Sequence, residues 1–190
     1  MAKQWTQAKM REVAEEERAE LRLKWFQPLD PYALATSHGI PVYPIAELAD
    51  EDRSSEAVRH FTEVRQNAWS AALIPLGRRR IMIENTAHSA ERRRSNIAHE
   101  LGHHLLEHSF DSILLTDDGC RRFDKEKEKQ AKFMSAELLL PWKAAMRAAF
   151  DEKTNEQIAS AFGVSTQFVQ MRMSGARVRA SNALARQGRQ

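Results

Sequence analysis

Two histidines one helical turn apart, His99 and His103, with Glu100 between them, constrain this chain more than any other feature. Read as a helix, Ser95 to Phe110 sends both imidazoles from one face, where they can bind a single metal ion. Glu100 lies about 100° around the helix from His99, off the line of the two histidines. It therefore reads as a general base beside the metal and not as a ligand. A catalytic zinc usually takes three protein ligands and leaves the fourth position to water, so one more ligand should come from elsewhere. His104 and His108 leave by other faces and read as surface residues or as neighbours of the ligands.

Ala98, Leu101, Gly102 and Leu105 recur at i, i+3, i+4 and i+7 and should face the core. A glycine inside a helix costs about 1 kcal/mol relative to alanine, so Gly102 reads as a point of close packing under the metal. From Asp124 the sequence is helical again, with Ala131, Met134 and Leu138 as an inward line. Glu128 extends that line by one step and is the stronger candidate for the missing ligand; Glu126 falls on another face. Pro141 stops this helix, and Trp142 to Phe150 forms a further short one.

Upstream, Gln4 to Phe26 reads as a charged amphipathic helix with Met10, Val13, Ala14, Leu21 and Trp25 on its apolar stripe and Pro28 as its stop. Asp30-Pro31 starts a short helix that Gly39 closes, and Ile40 to Ile45, with two prolines, suits an edge strand. Ser54 should cap a packing helix carrying Ala57, Val58, Phe61 and Val64. Trp69 to Leu76 and Arg80 to Glu84 flank Gly77-Arg78-Arg79, which is a hairpin signal. In metallopeptidases of the His-Glu-x-x-His type, a sheet edge beside the metal helix commonly holds substrate as an added strand. The hairpin is thus a candidate peptide groove, with a purely structural sheet as the alternative. Asn85 to Ser89 reads as a loop ending in a helix cap, and Asp111 to Phe123 as a turn-rich connector.

At 190 residues the chain suits one main core with a small appendage. No apolar stretch is long enough for a membrane span, and Met1 to Arg11 is too polar for a secretory signal, so a soluble cytoplasmic protein is expected. Cys120 is the only cysteine, which fits a reducing compartment. The net charge of +3 is modest, but no acidic residue follows Glu156 while Arg172, Arg177, Arg179, Arg186 and Arg189 do. Thr154-Asn155-Glu156-Gln157 is a capping box, and the two helices after it, joined at Gly163-Val164-Ser165, resemble a helix-turn-helix. Thr166, Gln167 and Gln170 would offer base contacts there, with arginines for phosphates; the competing readings are a structural helix pair or a surface for a protein substrate.

Taken together, Arg92-Arg93-Arg94 before Ile97-Ala98-His99-Glu100-Leu101-Gly102-His103, then Leu105-Leu106-Glu107-His108, then Glu128 ahead of Ala131 and Ala136-Glu137-Leu138-Leu139-Leu140-Pro141, resemble the ImmA/IrrE family of zinc-dependent metallo-endopeptidases. The strand region from Leu73 to Asn85 is similar as well. Lys132, Met134 and Gln130 depart from the family's usual asparagine, phenylalanine and glutamate. The resemblance implies that His99 and His103 bind zinc, that Glu128 is the third ligand and that Glu100 activates the bound water. Two histidines and a carboxylate would also suit manganese. It further implies that the substrate is a regulatory protein, a helix-turn-helix repressor of stress-response or mobile-element genes. For the oxyanion, His88, His104, Tyr32 and Tyr43 stay open as candidates.

The expected architecture is α+β: a mainly helical zincin-like metallopeptidase domain with a small sheet over residues 1–150, a helix-turn-helix-like segment over 151–180, and a basic, disordered tail over 181–190. The competing function is a non-enzymatic DNA-binding regulator with a structural or vestigial metal site.

Overall fold

The computed structural model of the protein describes residues 5–49, 55–108 and 124–187. Everything packs on α4 (Ala90–Leu105), whose first turn is capped by the Ser89 hydroxyl accepting from the Arg92 N–H. One face of α4 buries Ile97 and Leu101 in a core shared with α1 (Gln7–Glu20), α2 (Pro31–Ser37) and the sheet. Its adjoining face puts Ala98 into a second core with α6 (Trp142–Phe150), α7 (Asn155–Phe162) and α8 (Thr166–Gln187). α5 (Lys125–Leu139) feeds both, through Met134 and Leu138 on one side and Leu139 on the other. The result is a mainly helical α+β fold. Among the described residues no helix is long and apolar enough to cross a membrane.

Among the described residues the sheet has three strands, β1 (Val42–Pro44), β2 (Ala71–Leu76) and β3 (Arg79–Glu84), in the order β1-β3-β2. β1 runs parallel to β3 and β2 antiparallel to it, with Leu73 opposite Met82. Gly77, at φ 61°, supplies the left-handed backbone that a tight turn between twisted strands needs. The Asn85 N–H bonds the Ser70 carbonyl at 2.9 Å, so in an antiparallel ladder Ala71, Leu73 and Pro75 direct their backbone groups to the open side of β2.

Two buried carboxylates tie the layers together. Glu84 accepts from the Tyr32 hydroxyl at 2.7 Å and from Arg93 at 3.0 and 2.5 Å. Burial pushes Glu84 up, but the hydrogen bonds from Arg93 and Tyr32 outweigh it and hold the carboxyl below its usual range. Burial and the Glu84 carboxylate push the Tyr32 hydroxyl up to about 12. Glu137 accepts from Arg11 at 3.0 Å and from the Trp142 N–H at 2.9 Å, and its carboxylate forms an ion pair with Arg172 at 2.7 Å, capping α6 while it pairs two arginines.

Several expectations change here. α1 stops at Glu20, six residues before Phe26, because buried Arg18 bonds the carbonyls of Lys24, Gln27 and Leu138 and folds the chain back after Arg22, at φ 58°. Trp25 is accordingly 40% exposed. The helix carrying His99 and His103 ends at Leu105 and does not reach His108, since Glu107 at φ 53° closes it. In the 55–64 region, α3 (Ser55–Arg59) runs into a π-helical turn, His60–Val64, and neither buries a residue in the core. That segment is held by Asn85, whose amide nitrogen bonds the carbonyls of Phe61, Gln66 and Trp69 at 2.8–3.2 Å. Residues 181–187 of the expected disordered tail continue α8. The Ser54 cap, Cys120 and the connector from Asp111 to Phe123 lie outside the described residues.

Of the described glycines, Gly102 is the most closely packed: an added Cβ would stand 2.8 Å from the Ala131 carbonyl oxygen and 3.1 Å from its Cα. That neighbour is helix backbone and cannot rotate aside. Gly102→Ala should therefore destabilise the protein by about 1–3 kcal/mol, read as a lower urea midpoint at unchanged slope.

Candidate metal centre

Because Gly102 lets α4 and α5 touch, the face of α4 carrying His99 and His103 looks across to Glu128 on the first turn of α5. The Nε2 atoms of His99 and His103 are 3.2 Å apart, and each is 3.2 Å from an oxygen of Glu128. Ligand bonds of about 2.0–2.1 Å in tetrahedral directions place neighbouring donor atoms about 3.3 Å apart. The histidine pair spans one edge of that tetrahedron, with Glu128 Oε2 at the same distance from His99 and Oε1 from His103, so these residues fit a zinc-sized cation. Among the described residues they also form the only cluster of three or more His, Cys, Asp or Glu side chains that could hold a metal ion.

The electrostatics suit ligation. Burial, with His99 and His108 adding to it, pushes His103 down to about 3. Burial also pushes His99 down, although the Glu128 carboxylate pulls the other way. Both rings are thus neutral at neutral pH, the form that binds a metal.

A hydrogen-bonded chain orients one of these rings. His103 Nδ1 lies 3.0 Å from His108 Nδ1, and His108 Nε2 lies 3.0 Å from Gln130 Oε1. If His103 Nε2 is to donate electrons to a metal, its proton sits on Nδ1 and is donated to His108, which in turn donates from Nε2 to Gln130. The end of α4 delivers His108 to this place. The Glu107 N–H bonds the His104 carbonyl and the His108 N–H bonds the His103 carbonyl, both at 3.0 Å, in a Schellman turn with Glu107 in the left-handed position.

Glu100 is not in this group. Its Oε2 accepts the Leu73 N–H at 3.2 Å, so the carboxylate lies against the open edge of β2. Glu126 also stays outside, exposed and beside Gln130 and Lys129. Of the oxyanion candidates, His88 bonds the Gln66 carbonyl, Tyr32 bonds Glu84 and His104 bonds Arg80, while Tyr43 sits on β1 at the far edge from β2. Burial, then Arg80 and His38, push His104 down to about 4, which leaves it a neutral acceptor for Arg80. Two partners of the site were given no role there by the sequence: Gln130, noted only as a departure from the family's usual glutamate, and the Leu73 N–H, which only the sheet register reveals.

His108→Ala should weaken zinc binding about 10–100-fold by removing the acceptor that fixes the His103 tautomer. Competition against a chromophoric chelator measures it; a circular dichroism spectrum matching wild type would show that the fold is retained.

A family model described as the IrrE N-terminal-like domain, of the M78 peptidases, matches residues 45–174. No curated protein matches the chain. The matched span runs from before β2 into α8 and includes His99, Glu100, His103 and Glu128 together with the helices that bring them to one point. The chain belongs to the M78 peptidase family, a family of metallopeptidases.

Proposed function

We propose that this protein is a zinc-dependent endopeptidase, with His99, His103 and Glu128 as metal ligands and Glu100 as general base. The observation that carries this reading is the convergence of two imidazole Nε2 atoms 3.2 Å apart with the Glu128 carboxylate, one oxygen 3.2 Å from each ring, beside a second carboxylate, Glu100, that is not part of the group. A zinc ion there, or manganese in its place, would supply Lewis acidity toward a peptide carbonyl and acidify a water molecule.

The remaining work falls to the chain. Glu100 takes the proton from the attacking water and returns it to the leaving amine, as a carboxylate next to His99 in sequence and held against β2 can do. The open edge of β2 aligns an extended peptide by main-chain hydrogen bonds, since Ala71 and Leu73 direct their backbone groups outward. Occupation of that edge would release Glu100 from the Leu73 N–H. We take the substrate to be a regulatory protein, a helix-turn-helix repressor, on the family likeness. Cytoplasmic action follows from that choice.

The competing reading, a DNA-binding regulator, is weakened by the partners of three of the arginines it would use. Arg172 is only 9% exposed and is paired with Glu137. Arg177 bonds Asn155 at 2.6 Å, and Arg179 lies over the Trp142 ring at 5.3 Å. Thr166, Gln167 and Gln170 are exposed, but three of the arginines that would add the phosphate contacts that supply most affinity for DNA already have these partners.

Elemental analysis of wild type, His103→Ala, Glu128→Ala and Glu126→Ala tests the ligand set. Wild type and Glu126→Ala should hold about one zinc per chain, and the other two should lose it. Glu100→Gln should keep the metal and lose cleavage of a helix-turn-helix repressor, followed by mass spectrometry of the products. Turnover by that variant would overturn the general-base assignment.

A further inference from the structure

A cleft of about 700 Å³ opens between the tip of the β2–β3 hairpin, the end of α4 and the segment that joins α2 to β1. None of the proposed metal ligands lines it. The hairpin wall consists of three consecutive arginines, Arg78, Arg79 and Arg80. Arg80 is held in place by a hydrogen bond to His104 Nδ1. The guanidinium groups of Arg78 and Arg79 have no partner among the described residues, and both side chains are exposed.

The facing wall is quieter. His38 Nε2 lies 2.7 Å from Glu17 Oε2, so this carboxylate is already committed, and the His38 ring stands edge-on to His104 at 5.1 Å. Hydrogen bonding to Glu17 raises the His38 pKa against the opposing effect of burial, which adds positive charge to this wall as the ring protonates. Glu107 stands at the rim. The cleft thus carries a cationic strip along one side with carboxylates spaced across from it.

That layout favours an extended chain over a compact ligand. Small-molecule pockets are mostly apolar with a few polar groups, whereas this cleft is lined chiefly by charged and imidazole side chains. A compact polyanion drawn onto the arginines would also feel Glu17 and Glu107, but a peptide can set its carboxylates against the arginine strip and turn its other residues to the far wall. Guanidinium forks bind carboxylates bidentately, which gives each acidic residue a defined seat.

The cleft also lies on the path from the catalytic site. Glu100 and His104 are four residues apart on α4, so they share a face and are separated by about 6 Å along the axis. Glu100 meets β2 at Leu73, and His104 meets β3 at Arg80 beside the turn. A chain leaving Glu100 toward the hairpin tip reaches the arginines next.

We propose that this cleft is an exosite that seats an acidic stretch of a protein substrate on Arg78 and Arg79. The term substrate rests on the peptidase reading, but the binding does not. The test is fluorescence anisotropy of a fluorescein-labelled oligoglutamate peptide with the full chain carrying Glu100→Gln, with and without added zinc. The peptide should bind at low salt and weaken as salt rises. R78E/R79E should weaken it about tenfold or more, and R78K/R79K, which keeps the charge but not the fork, should fall between. Both side chains are exposed, so thermal unfolding of the variants should match that of the parent.

Absence of peptide binding, or equal binding by R78E/R79E, would overturn the proposal. Displacement by inorganic phosphate at matched charge would overturn it in favour of a free-anion site, and displacement by duplex DNA in favour of a nucleic-acid surface. Repressor cleavage is scored separately. Arginine-dependent peptide binding without cleavage would leave the cleft standing and remove the peptidase; cleavage with no such binding would do the reverse.

Discussion

The contact on which the rest of this structure depends is the approach of two helix backbones at Gly102 and Ala131. A side chain at that point would hold α4 and α5 apart. With hydrogen there, Glu128 comes within 3.2 Å of both imidazoles. A donor set is more demanding than a hydrophobic core. Cores absorb shifts of several tenths of an ångström by rotamer changes, but a metal tolerates only about 0.2 Å in each bond. The glycine gives up helix propensity in exchange for this geometry.

A site so dependent on one spacing requires both helices to be held from outside, and charged groups do this. Glu84 fastens α4 to the sheet and α2 through Arg93 and Tyr32. Glu137 fastens the end of α5 to α1, α6 and α8 through Arg11, the Trp142 amide and Arg172. Arg94, on α4, bonds the carbonyls of Leu29 before α2 and Gly163 after α7 at 2.7 and 2.9 Å. The helix-turn-helix-like segment is therefore built into the peptidase body, and its second core includes a residue of the metal helix, Ala98.

How much of this could be read from the sequence depends on how local each feature is. His99 and His103 are legible because a helix alone puts them together, and Glu128 because it continues a buried line on its own helix. The caps at Ser89, Asp30 and Thr154 are equally local, and all three are present. Where the chain folds back, pattern fails. A glutamate at φ 53° gives no signal of a turn, so His108 reads as one more helical residue when it in fact lies beneath His103. The length of α1 is set by Arg18, whose carbonyl partners are a tertiary matter. Residues 181–187 look like a loose basic tail, yet Ala176 and Ala180 anchor the preceding turns and alanine, leucine and arginine carry the helix onward.

Pro75 bears on a different problem, the tendency of an open strand edge to recruit the edge of another molecule. It stands on the outward-facing register of β2, where the next main-chain donor after Leu73 would be. The imino nitrogen offers none, so the free edge has room for a short run of pairing beside Glu100 and cannot extend it toward the turn. A flexible peptide can use such a truncated edge, but a second folded sheet gains too little from it to dock. Among the described residues, an edge interrupted in this way is a poor template for aggregation.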